Sequence, residues 1–494
     1  MMKLLVVISV LLFQSISYIT GQSTYDIVIL NGVVMDPETE FSAIRNIGIK
    51  GDQIAIITSE EISGKQAIDA TGLVVSPGFI DLHVHGMTNE AHRYQVRDGV
   101  TTALELEGGV PFMRDWIATK RNHSIVNFGG TVPHSTIRSM AMGQYQAIFD
   151  EAKKAIAEEG FESPRVKKIQ INLGRANYQP LEEIKFADVE EIVEAELGAG
   201  ALGIGVPVGY YPGSTHGEIF HIYKTAARYD VPIFSHTRGF GMEGIQEAIA
   251  NATTSGASLH IVHANSLSLG EISLTLDMVQ EAQQRGLDIT TEVYPYTAAS
   301  TSLESSLFDE GWQEELAITY EDLQWEATGE RLTEETFTSY REEGGIVIIH
   351  MMKPEWISMG ISHPVTMIGS DGMPYAPGAH PRTAGTFSRV LGKYVREEKV
   401  ISLMDALKKM TIMPAQRLEA VSPIMRRKGR LQIGADADIT IFDPNTIIDK
   451  ANFKGLAYSE GVHHVIINGV QVVKDEEIVE GVYPGRAVVS KYRR

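Results

Sequence analysis

Cysteine is absent from the 494-residue chain. That excludes disulfides and a lipid-modified cysteine, and leaves stability to a packed core. An excess of positive charge is absent as well, since 43 Lys and Arg face 63 Asp and Glu for a formal net charge of −20. Nucleic acid and anionic membranes both need a basic face, so neither is an expected partner. Repeats and low-complexity runs are missing too. The apolar run Leu4–Phe13 is too short to span a membrane. It follows Lys3 and precedes Ser15, Ser17 and Gly21, the pattern of a secretory signal peptide over residues 1–21. The mature chain is therefore expected to be exported, periplasmic or secreted, with no membrane association.

What is present is a soluble composition, 43% hydrophobic and 21% charged. Both ends of the chain read as β-structure. Tyr25–Leu30 alternates, Asn31-Gly32 is a hairpin-turn signal, and Val33–Met35 resumes. Near the other end, Ala437–Pro444 and His464–Val473 read as strands, the latter interrupted by Asn468-Gly469. Residues 22–75 and 425–494 are thus expected to meet in one small β-sandwich. Between them, strand-length apolar runs start at Phe79, Thr101, Ser124, Leu202, Val231, Ser258, Asp288 and Thr366, most of them separated by amphipathic helical stretches. Eight strands with intervening helices predict an α/β fold, a (β/α)8 TIM barrel over residues 76–424. The acidic, aromatic segment 297–345 breaks the rhythm and is expected to be an insertion near the barrel mouth.

The strand ends carry the chemistry. In such barrels the carboxyl ends of the strands gather all the loops into one pocket. The first run ends in His83-Val84-His85, two imidazoles that period-2 alternation turns to the same side. Later runs end at Glu105 and Glu107, His236, His263 and Asp371. A lone His-x-His pair is more often a polar strand end than a metal site. Five of eight strands ending in ligand-type residues is hard to assign to chance. Imidazole and carboxylate together suit zinc, with manganese, iron or cobalt as alternatives, at one or two ions per chain. We expect His83, His85 and Asp371 at one position, His236 and His263 at the other, and Glu107, or else Glu105, bridging them.

Longer stretches carry a family resemblance. Pro77-Gly78-Phe79-Ile80-Asp81-x-His83-x-His85, Gly99-Val100-Thr101-Thr102 and Lys428-Gly429-Arg430-Leu431-Gln432 resemble the amidohydrolase superfamily. Glu292-Val293-Tyr294-Pro295-Tyr296 and the run from Gly369-Ser370-Asp371-Gly372 to His380-Pro381-Arg382 are similar to the N-acyl-D-amino-acid deacylases (D-aminoacylases) within it. The resemblance implies a metal-dependent hydrolase of linear amides acting on a small-molecule substrate with a carboxylate. It also implies a metal-binding cysteine after Gly-Val-Thr-Thr, where this chain has Leu104-Glu105-Leu106-Glu107, and a lysine for the substrate carboxylate, where it has Asn265. Arg382 is retained. With Tyr296, or Tyr294, and with His380 at the rim, it is expected to hold the substrate carboxylate; the alternative for Arg382 is an ion pair with a neighbouring acid.

Amide hydrolysis needs an activated water and a proton for the leaving amine, and Asp371 is the residue expected to move that proton. A different amidohydrolase reaction, on a cyclic amide, dipeptide or lactone, and a barrel that binds metal without turnover are the competing readings.

Overall fold

The computed structural model describes residues 25–494 apart from residue 162, and of residues 167 and 170–172 the backbone alone. The expected signal peptide, residues 1–21, lies outside the described residues.

The amino-terminal strands are β1 (Tyr25–Asp36), β2 (Phe41–Lys50), β3 (Gln53–Thr58), β4 (Gly64–Asp69) and β5 (Val74–Pro77). Asn31-Gly32 makes no hairpin: β1 runs through it, with a register shift between Ile29 and Gly32 and with Asn31 at a φ of 63°. The pair forms a bulge because a Cβ on Gly32 would lie 2.4 Å from Val75 Cγ2, so glycine lets β1 close on β5. On either side of that bulge β1 changes partner, from β4 to β5.

The barrel follows. Its strands are β6 (Phe79–Asp81), β7 (Val100–Glu105), a third strand in the pieces β8 (Asn127–Gly130) and β9 (Val132–Pro133), β10 (Ile204–Pro207), β11 (Ile233–His236), β12 (Leu259–Ile261) and β13 (Ile289–Val293). An excursion then forms a small antiparallel sheet of β14 (Ala299–Ser302), β15 (Leu323–Trp325) and β16 (Ile346–Ile349), before β17 (Thr366–Ile368) completes the eight. Neighbouring barrel strands pair in parallel. The ring closes between first and last strands, where Asp371 N–H donates to His83 O at 2.8 Å and His85 N–H to Gly372 O at 2.7 Å. Asp81 reinforces that seam by accepting from Ser370 N–H at 3.0 Å. The third strand begins at Asn127, within the apolar run that starts at Ser124, and pairs with β7; Phe128 also meets the carboxyl-terminal tail, its N–H donating to Arg486 O and its carbonyl accepting from Val488 N–H.

The chain returns to the first sheet with β18 (Ile439–Phe442), β19 (Val462–Ile467), β20 (Val470–Lys474) and β21 (Glu477–Ile478). Asn468 and Gly469, with φ of 49° and 77°, form the turn between β19 and β20. Antiparallel pairing of β18 with β5 joins both ends of the chain into one small nine-stranded domain. Ile29, Ile47, Ile49, Val75, Ile439 and Ile466 are among its buried core. The excursion has its own core around Phe308, Trp312, Trp325 and Phe337. It reaches the barrel mouth through Thr301, whose hydroxyl donates to Tyr210 OH at 3.1 Å, and Ser306, which donates to Gly209 O at 3.2 Å. Among the described residues no helix is long and apolar enough to cross a membrane.

Candidate metal centre

Past the end of β6 the alternation continues, so Leu82 and Val84 pack into the core while the rings of His83 and His85 converge at 5.2 Å. His83 Nε2 lies 3.1 Å from Glu107 Oε2 and 3.5 Å from Asp371 Oδ1. His85 Nε2 lies 3.3 Å and 3.4 Å from the same two oxygens. Glu107 presents its other oxygen to His263 Nε2 at 3.7 Å, and the His263 ring stands 5.0 Å from that of His236. Glu107 therefore spans two ligand clusters, one with His83 and His85 and one with His236 and His263, while His83, His263 and Asp371 form a third grouping. The backbone is shaped to this end. Gly205 leaves the space that lets Glu107 approach β10, since a Cβ there would sit 2.1 Å from Glu107 O. Asp371 and His263 adopt positive φ, 52° and 29°, conformations that non-glycine residues keep only where surrounding structure holds them.

Each imidazole is oriented from behind. His83 Nδ1 lies 2.6 Å from Glu292 Oε1 and His85 Nδ1 lies 2.8 Å from Glu105 Oε2. His236 Nδ1 is 2.9 Å from Thr237 O, and His263 Nδ1 is 3.0 Å from Ser266 Oγ. With Nδ1 engaged, each ring turns its Nε2 lone pair to the centre, the arrangement of metal-ligating histidines. Glu105 thus serves His85, and Glu107 is the carboxylate between the clusters. Glu292 does not figure among the site residues expected from sequence; its signal there was its place at the head of the run Glu292-Val293-Tyr294-Pro295-Tyr296. Gly369 makes room for it, as a Cβ would lie 2.5 Å from Glu292 Oε2.

The electrostatics ask for a cation. Burial alone would neutralise both rings, yet Asp371 and Glu292 around His83, and Glu105 and Asp371 around His85, raise both pKa values well above the ordinary range. Burial likewise opposes charge on Glu107, but His263, His83 and His85 hold it well below the usual carboxylate range. His236 is the exception, pushed down to about 4 by burial and by the neighbouring His263. Glu107 Oε1 is buried without a hydrogen-bond partner, an orphan that a divalent ion would satisfy. This donor set of imidazole nitrogens and carboxylate oxygens fits such an ion.

Known proteins resolve the fold's kinship. A model of the amidohydrolase family matches residues 272–473. An N-acyl-D-glutamate deacylase of Alcaligenes xylosoxydans is 27% identical over 91% of this chain and 94% of its own length. A D-aminoacylase of the same organism is 26% identical over 94% and 97%. The chain is a relative of the amidohydrolases. A solved N-acyl-D-glutamate deacylase from Bordetella bronchiseptica, complexed with zinc and a phosphonate inhibitor, shares the fold with a TM-score of 0.78 at 23% identity, over 94% of this chain and all of that one.

Within this site the residues expected around a substrate are placed unequally. Arg382 is buried, its Nη1 2.8 Å from Asp371 Oδ2 and its Nη2 donating to Ser300 O at 3.1 Å. The ion pair is with Asp371, the acid at the centre, and the guanidinium also lies over the Tyr294 ring at 4.8 Å. Tyr294 is the tyrosine beside the metal ligands, its ring 6.5 Å from that of His263. Tyr296 is turned away, bonded through its hydroxyl to Asp449 and Pro381. Two residues along an extended chain do share a face, but the strand ends at Val293 and the alternation stops with it. Asn265 does not face a substrate: it exchanges hydrogen bonds with the backbone of Tyr294, at 3.3 Å each way, and is fully buried. His380 is likewise engaged at both nitrogens, with Ala298 O and Arg382 N–H. Both act on the loops that carry Tyr294 and Arg382. His134, which also follows a barrel strand, is turned to Tyr211 OH at 3.0 Å.

Proposed function

We propose that this protein is a metal-dependent amidohydrolase that removes the acyl group from an N-acyl-D-amino acid or a related acylated amine. The observation that carries the reading is Glu107 between two histidine pairs with Asp371 against the first. Its relatives over most of the chain are deacylases of such compounds. His83, His85, Glu107, His236, His263 and Asp371 would hold one or two divalent ions, zinc being the first choice for this donor set. When bound, such an ion lowers the pKa of water and polarises a carbonyl oxygen.

The chain's own residues supply the rest. Burial would raise the Asp371 pKa, and Arg382 and His83 lower it, so the carboxylate is ionised and ready to take a proton from the attacking water. It then delivers that proton to the departing amine nitrogen. Arg382 and Tyr294 are the groups beside Asp371 with the charge and the hydroxyl to hold a substrate carboxylate. The excursion Ala299–Ile349 reaches the loop that carries Tyr210 and Gly209 through two hydrogen bonds, from Thr301 and Ser306.

The test is a panel of N-acetyl-D- and N-acetyl-L-amino acids against metal-free protein and protein loaded with zinc, manganese or cobalt. Turnover of D-substrates that requires metal is expected; fully loaded protein inert towards every amide would overturn the assignment. Export of the mature chain belongs to the same proposal, and an amino terminus that still begins at Met1 after secretion-competent expression would refute it.

A further inference from the structure

A cavity of about 480 Å³ opens beside the metal centre. At its inner end stand His85, Glu105 and Tyr210. Its walls then turn apolar, with Val110, Phe112 and Trp116 on the loop and helix after the second strand, Phe149 and Ile156 on the helix Gln146–Glu159, and Leu173 beyond. Ser135, Thr136, Ser139 and Asn177 are its uncharged polar groups, and among the described residues its lining includes no lysine or arginine. That volume is in the range of sites for drug-sized ligands, far beyond what an acetyl group fills. A carboxylate entering it would lose its hydration and meet no lysine or arginine among the described lining residues.

We propose that this cavity receives an extended apolar acyl chain, so that the preferred substrates are N-acyl-D-amino acids with medium- or long-chain acyl groups. The inference rests on the deacylase reading and specifies its substrate class. Orientation decides which part of the substrate points there. The guanidinium at the centre is Arg382, packed on Tyr294 at the end of β13. The cavity is built from segments following β7 and β9, and β9 lies four strands from β13 in the barrel order, on the opposite wall. In an N-acyl amino acid the side chain shares a carbon with the carboxylate, whereas the acyl chain leaves from the far side of the scissile bond. With the carboxylate on the Arg382 side, the acyl chain is the part that reaches the cavity.

The test is kcat/KM for one D-amino acid carrying acetyl, butanoyl, octanoyl or lauroyl groups, beside a series of N-acetyl-D-amino acids with lengthening side chains. Each buried methylene is expected to raise kcat/KM about fourfold, which is roughly 250-fold over the four methylenes from butanoyl to octanoyl. Ala152→Phe and Ile156→Trp, on the cavity wall, are each expected to erase that gain, and the second serves if the first does not fold. An acetyl substrate as good as the octanoyl one, or a gain that follows side-chain length instead, overturns the proposal while leaving the deacylase reading intact. Inertness towards every member of both series refutes the deacylase reading itself.

Discussion

Replacing Glu292 by glutamine tests the centre without touching a ligand. Glu292 is buried, with Oε1 2.6 Å from His83 Nδ1 and Oε2 3.3 Å from His260 Nε2. Burial opposes its charge, but His83 and His260 outweigh it and hold the carboxyl well below the usual range, so it is ionised at any working pH. Its charge makes the His83 imidazole a better donor to a cation. Glutamine keeps the shape and an acceptor for Nδ1 but removes the charge, and loss of such a partner weakens metal binding roughly 10- to 100-fold. That is about 1.4 to 2.7 kcal/mol of binding free energy. Gly369→Ala is the independent perturbation. A Cβ 2.5 Å from Glu292 Oε2 displaces the carboxylate and is expected to weaken binding to a similar degree. Competition with a chromophoric chelator gives the metal Kd, and turnover against free metal shows recovery at saturation. Wild-type affinity in both variants would refute the role assigned to Glu292.

Other outcomes follow from the same geometry. Asp371→Asn is expected to keep the fold while turnover at saturating metal falls roughly 10²- to 10⁴-fold; retention of more than a hundredth of activity refutes the proton-transfer role. Asn265→Ala strands the Tyr294 N–H and C=O, at a cost of about 1–3 kcal/mol, read as a lower urea midpoint. Chelation of the metal is expected to lower Tm, because the carboxylates Glu105, Glu107, Glu292 and Asp371 are packed around the histidines and a ligand that binds only the folded state stabilises it; an unchanged Tm speaks against a bound ion. Lys409 is buried and pushed down to about 7 by that burial, though its ammonium donates to Thr366 O at 2.9 Å. Between about 7 and its unfolded value near 10 the unfolded chain binds the extra proton. Stability should therefore rise with pH across that window, by at most about 1.4 kcal/mol per unit, and Lys409→Met should lack the rise in urea titrations.

Much of the barrel was legible in sequence because each strand is a short apolar run and each inner helix an amphipathic one. The amphipathic stretches expected between the strands fold as helices, among them Met242–Ser255 and Ile272–Gln284. Where local signals misled, a tertiary contact was the cause. Asn31-Gly32 reads as a turn in any local window, and becomes a bulge only because β5 packs against Gly32. The run at 124–128 reads as one barrel strand, yet only its end, Asn127 and Phe128, enters the ring beside β7, and Phe128 also pairs with a tail more than three hundred residues away in sequence.

The same division runs through the site. Sequence by itself determined which residue types end the barrel strands, because a histidine or carboxylate closing an apolar run is a local pattern, and strand order then sends those ends to one face. It determined the want of thiolate outright, since there is no cysteine. Tertiary structure alone decided the division of labour among similar groups. Glu105 and Glu107 lie two residues apart, yet one backs His85 and the other stands between histidine pairs. Tyr294 and Tyr296 are equally close in sequence, yet only Tyr294 meets His263 and Arg382. Glu292 reaches His83 in the space that Gly369 leaves beside it. The physical reason is one of range: alternation specifies a face over a few residues, whereas the partner waiting at that face comes from strands brought together by closure of the ring.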